Sequence, residues 1–110
     1  AALVAQAAGG RQLHVVRLTP PFTPEVGLCW KTPELPLPNG DIDGDRRSMT
    51  FLLEDGRLLG PAHASHDAIR ARGLGQYCHW HDTLYWSTSD NSDPNRNGRT
   101  YTLVHLERPV

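Results

Sequence analysis

At 110 residues, with a formal net charge of −1, nine Pro and ten Gly, the chain fits one turn-rich domain rather than a bundle of long helices. Eleven basic residues stand against twelve acidic ones, so the basic excess that phosphate-backbone binding requires is missing, which argues against a nucleic-acid partner. No apolar run approaches the roughly 20 residues that cross a bilayer as a helix, which argues against membrane insertion.

The opening "AALVAQAAGG" (1–10) has neither Met nor the basic start of a signal peptide, and reads as a linker or upstream remnant. The expectation is a single module over 11–110, part of a larger parent chain with other domains. "RQLHVVRL" (11–18) alternates as a first strand, with Leu13, Val15 and Arg17 on one face. "TPPFTPE" argues against regular pairing, because Pro lacks the N–H of a ladder. A short strand "VGLCW" follows, then the Pro-spaced crossing "KTPELPLPNGD", of a kind that carries a chain between two sheets.

"SMTFLLEDGRLLG" is the clearest hairpin, turning at Asp55-Gly56. "SHDAIRARG" is the one convincing helix, near 65–72, with Ser65 as cap, Asp67 in the first turn and Gly73 as terminator. "GQYCHW" and "TLYWSTS" form a second hairpin around His81-Asp82, and "RTYTLVHLE" is a terminal strand. Six or seven short strands and one short helix predict an all-β fold, a small antiparallel β-sandwich or jelly-roll-like module. Cys29 and Cys78 each lie near a Trp, and the sequence leaves open a disulfide between them or two buried thiols.

Three groups of residues suggest chemistry. The loop in "WSTSDNSDPNRNGRTYTL" is dense in turn-forming amides and carboxylates. Asp93, Asn95, Asn97 and Gly98 resemble the start of a calcium loop, although Val104 stands where its closing acid belongs. "DIDGD" (Asp41, Asp43, Asp45) offers a second set of alternating carboxylates, also without closure. The same long loop lies beside aromatics, which suits a sugar. Trp80, Tyr85 and Trp86 would stack on its apolar face, while Asp90, Asn91, Asp93, Asn95, Asn97 and Arg99 meet its hydroxyls. Tyr85 and Trp86 cannot share a face of one strand, so at least one is expected outside the core.

The third group is histidine-rich. His79 and His81, two apart on an extended run, begin a zinc-site pattern that His63 and His66 would complete. His66-Asp67 and His81-Asp82 are neighbours in sequence only, a poor basis for an acid–base pair. No nucleophile motif or glycine-rich phosphate loop is present.

The run "FLLEDGRLLGPAHASHDAIRARGLGQYCHWHDTLYWSTSDNSDPNRNGRTYTL" (51–103), and above all "LYWSTSDNSDPNRNGRTY", resembles a segment of bacterial cell-surface polysaccharide proteins, an accessory region beside glycosyltransferase-like parts. The resemblance implies a carbohydrate-linked role and assigns no individual residues. The expected function is therefore a non-catalytic glycan-binding or substrate-positioning module of a larger bacterial polysaccharide-acting protein. The alternatives are a zinc-dependent or metal-stabilised domain on the histidine group, and an inert assembly domain. Calcium or zinc is the cofactor to consider. Oligomeric state, and the choice between cytoplasm and cell envelope, stay open.

Overall fold

The structure, a computed structural model, describes residues 13–106. The 1–10 segment and the last residue of the predicted terminal strand lie outside the described residues. In chain order the elements are β1 (Leu13–Arg17), β2 (Thr23–Pro24), β3 (Trp30–Thr32), β4 (Thr50–Glu54), β5 (Arg57–Leu58), α1 (His66–Ala71), β6 (Tyr77–Trp80), β7 (Thr83–Trp86) and β8 (Tyr101–Leu106). They form two antiparallel four-stranded sheets, ordered β1-β8-β4-β5 and β2-β3-β7-β6. The predicted small all-β sandwich with one short helix is what the chain builds.

Alternation along each strand decides what lies between the sheets. Leu52 on β4, Tyr101 and Leu103 on β8, and Tyr77, Leu84 and Trp86 on β6 and β7 close the shared core with Leu18, Phe22, Leu35 and Leu37 from the connections. Trp86 is fully buried, with Phe22 edge-on at 5.2 Å and Tyr101 tilted at 4.8 Å between ring centroids. The opposite residues of β8 and β4 (Val104, Leu106, Leu53) form a second apolar cluster on the other face of the first sheet. There, Val15 stays about two-thirds exposed.

The β4–β5 hairpin turns at Asp55 and Gly56 with φ of 49° and 81°, the double left-handed turn that Asp-Gly favours. Two expectations fail locally. The strand predicted over "VGLCW" begins only at Trp30, because the chain turns at Gly27 with φ of 56° and the Cys29 N–H closes on the Val26 carbonyl. "TPPFTPE" does pair, because Thr23 and Pro24 form β2 against Lys31 and Trp30. β2 is the outermost strand of its sheet, where a Pro without an N–H is tolerated.

Helix α1 starts where Ser65 accepts from the Ala68 N–H at 3.1 Å. It buries Ile69 against Cys29 and Cys78 on the outer face of the second sheet. Arg70 locks the helix in place through Glu25, with its Nε within 3.0–3.1 Å of both carboxylate oxygens. Both cysteines are free and buried. Cys29 leads into β3 and Cys78 lies in β6, with β7 between those strands; the separation, about 10 Å at ordinary strand spacing, is too far for a disulfide. Among the described residues, no helix is long and apolar enough to cross a membrane.

Candidate functional site

The long loop after β7 is tied into the protein's own frame. Arg99 grips Asp90 with two nitrogens at 2.8 and 2.9 Å, and Asp90 also accepts from the Ser92 hydroxyl at 2.6 Å. Asn91 accepts from the Leu74 N–H and donates to the Arg72 carbonyl, closing the end of α1. Asp93 accepts from the Asn95 N–H. Asn95 accepts from the Phe22 N–H at 2.6 Å and donates to the Phe22 carbonyl at 2.9 Å. Asn97 donates to Tyr101 Oη at 2.8 Å. Beneath them Glu54 is buried, accepting from Ser89 Oγ at 2.6 Å and Tyr101 Oη at 2.7 Å. Burial alone would raise the Glu54 carboxyl, but bonds from Ser89 and Tyr101 and the nearby Arg99 charge hold it below the usual range. Asp90 is likewise held low, chiefly by Arg99.

The aromatics predicted to face a sugar do not converge on that loop. Trp86 is a core residue whose Nε1 donates to Thr32 Oγ1 at 3.2 Å, so it offers no face to a ligand. Trp80 pairs with Thr83 at the hairpin tip, whereas the loop leaves the far end of β7, about 10 Å away along the strands. Tyr85 does lie outside the core, but His66 stacks on it at 4.2 Å and meets Trp80 edge-on at 5.5 Å. Burial, followed by the Arg70 charge, lowers the His66 pKa and favours the neutral ring.

The four histidines also separate. His79 points between the sheets, its Nδ1 at 2.7 Å from Ser48 Oγ and 3.1 Å from Thr50 Oγ1. His81 is exposed at the tip, with φ of 52°. His63 and His66 remain together at the entrance to α1. Among the described residues, no three His, Cys, Asp or Glu side chains gather as a metal site.

The concave feature that does form was only half legible. A cleft of about 810 Å³ lies between the Asp41–Arg46 segment and the residues leading into α1, with Trp80 on one wall. Both sides are hung on the free edge of β6. Asp41 pairs with β6 as a one-residue parallel bridge: its N–H donates to the His79 carbonyl at 2.6 Å and its carbonyl accepts from the His81 N–H at 3.0 Å. This approach requires Gly40, since a Cβ there would sit 1.8 Å from the His81 carbonyl oxygen. Further along the same edge, Tyr77 donates to the Pro61 carbonyl and accepts from the Ala64 N–H, which fixes 61–64.

Those two segments bring Asp41 and His63 together across 22 positions of sequence. His63 Nδ1 is 2.5 Å from Asp41 Oδ2, and Asp41 Oδ1 accepts from the Ser48 N–H at 2.8 Å. The carboxylate is almost fully buried, whereas 30% of the His63 side chain is open to solvent. His63 holds φ of 55°, a left-handed conformation uncommon for a non-glycine residue. Cys78 Sγ lies 3.8 Å from the same Asp41 oxygen. Burial, then the Asp41 charge, pushes its pKa up to about 12, so it stays a thiol. Adjacent His-Asp pairs were the visible signal, and this long-range pair had none.

No family model matches the chain, and no curated protein or solved structure matches it either.

Proposed function

We propose that this module binds a polyhydroxylated ligand, a bacterial glycan, in the cleft beside Trp80 and positions it for a larger polysaccharide-acting protein. One observation carries the reading: the partly exposed indole of Trp80 shares one concave surface with Asp43, Asp45 and Arg46. A pyranose has an apolar face for such a ring and hydroxyls for carboxylates and a guanidinium. The volume falls in the range typical of small-ligand clefts, roughly 300–1,000 Å³. The resemblance of 51–103 to polysaccharide-associated segments points the same way. The side chains of the long polar loop spend their hydrogen bonds on the protein itself, which supports the cleft over the loop as the place for the sugar hydroxyls.

A glycan array probed with the chain, followed by titration of any hit while tryptophan emission is recorded, tests this. Binding is expected to perturb emission and to weaken at least tenfold in Trp80→Ala, and also in Asp43→Asn. An array without hits, or hits untouched by both substitutions, would return the module to an assembly role.

A further inference from the structure

We propose that the cleft is also a reaction site, in which His63, oriented by Asp41, acts as a general base for water attack on an ester carried by the bound ligand. The inference rests on the cleft being a ligand site, not on the ligand being a glycan.

The geometry assigns the roles. Asp41 is buried, and its carboxylate is fixed on one oxygen by the Ser48 N–H and on the other by His63 Nδ1. A carboxylate accepts, so the neutral imidazole carries its proton on Nδ1 and its lone pair on Nε2. Nε2 makes no hydrogen bond among the described residues, and His63 lines the cleft. An imidazole fixed by a buried carboxylate on one nitrogen and open on the other is the arrangement general-base catalysis needs. The strained left-handed backbone at His63 is held in place by the Ala64–Tyr77 hydrogen bond next to it. A pair required only to anchor the loop would not need the ring to line a cleft.

The attacking group is water. Ser65, the nearest hydroxyl in the cleft wall, caps α1, and the Cys78 thiol is protonated and directed at Asp41. The bond is an acyl ester because one base can serve both halves of that reaction. Nε2 takes a proton from water as the water oxygen bonds to the carbonyl carbon, and the C=O π pair moves onto oxygen. That oxygen's developing negative charge is met by Arg46, which lines the same cleft. The pair then returns, the C–O bond to the alcohol breaks, and the departing alkoxide takes the proton from Nε2. Ester and water become carboxylic acid and alcohol, and His63 is restored. Glycosidic cleavage would instead call for two opposed carboxyl groups, one of them kept protonated by burial, whereas Asp43, Asp45 and Asp67 in the cleft lining are exposed and the buried Asp41 is committed to the imidazole.

The test is hydrolysis of p-nitrophenyl acetate by the full chain at neutral pH, compared with an equal concentration of free imidazole. The wild-type chain is expected to exceed imidazole by about 100-fold, the scale of positioned general-base catalysis. His63→Asn, whose side chain tolerates the left-handed backbone, is expected to fall to the imidazole level. Arg46→Ala should lower kcat more than it changes KM. His14→Gln, on β1 of the other sheet, should leave the rate unchanged. A wild-type rate no higher than that of imidazole overturns the proposal without any variant, and so does a folded His63→Asn chain that keeps full activity. An empty glycan array alongside His63-dependent hydrolysis would remove the glycan reading and leave this one standing.

Discussion

Trp86 shows how one residue's role turns on which way its strand faces. Its ring fills the space between the sheets and touches Phe22 and Tyr101, so nothing can replace its volume without a cavity. Trp86→Ala is expected to lower stability by about 3–5 kcal/mol, the usual cost of truncating a buried aromatic, as read from urea unfolding at neutral pH. Trp80→Ala, at the half-exposed cleft wall, should cost far less in the same assay. The sequence contained part of this contrast. Alternation required Tyr85 and Trp86 to face opposite ways, but it did not say which one was inside. That was settled by the register with β3, where Trp86 sits opposite Trp30 and Tyr85 opposite Lys31.

At the scale of elements, what was local was legible and what was distant was not. Asp55-Gly56 and the Ser65 cap each depend on a few neighbouring residues, and both formed as expected. The long loop was visible as a loop, but its purpose was not, because carboxylates and amides that bind a ligand and those that bind the protein have the same composition. Asn95 is the clearest case, since both of its amide atoms close on the backbone of Phe22, 73 positions away. Asn95→Ala leaves a backbone donor and acceptor unpaired and is expected to destabilise the chain by about 1–3 kcal/mol. Asn95→Asp keeps the acceptor for the Phe22 N–H but sets a carboxylate oxygen against the Phe22 carbonyl, so its loss should be at least as large. Chemical denaturation of both variants checks the order, and equal stability for all three chains would mean the contact contributes nothing. The Asp41–His63 pair was illegible for a related reason. It depends on two irregular segments meeting the same strand edge, and neither carries a periodic signal.

Across the whole molecule, the two sheets share a polar seam as well as an apolar core. Ser48, His79, Thr50 and His105 form a hydrogen-bonded chain between them, and His79 Nε2 is buried without a hydrogen bond among the described residues. Burial, reinforced by His105, brings the His79 pKa down from 6.5 to about 4. The unfolded chain therefore binds a proton here at a pH where the folded chain does not, and stability falls as pH drops from near 6.5 towards about 4. A loss of up to about 3 kcal/mol is expected over that window. Glu54, with its lowered carboxyl, begins to give up its own contribution only as pH falls through the ordinary value of 4.5, so it adds to the loss at the acid end of that window alone. Urea midpoints from pH 7 down to pH 4 should decline in the wild-type chain, with a flatter slope in His79→Gln. An identical slope in both chains would place the acid sensitivity elsewhere, His66 being the next group with the same sign. The edge of β6 links this architecture to the cleft. An outermost strand ordinarily exposes a row of donors and acceptors on which another chain can grow, but here Asp41 and the 61–64 segment already occupy those positions. The backbone contacts that bring Asp41 and His63 together therefore also keep neighbouring molecules from adding a strand, so a variant that loses them is expected to associate through the uncovered edge.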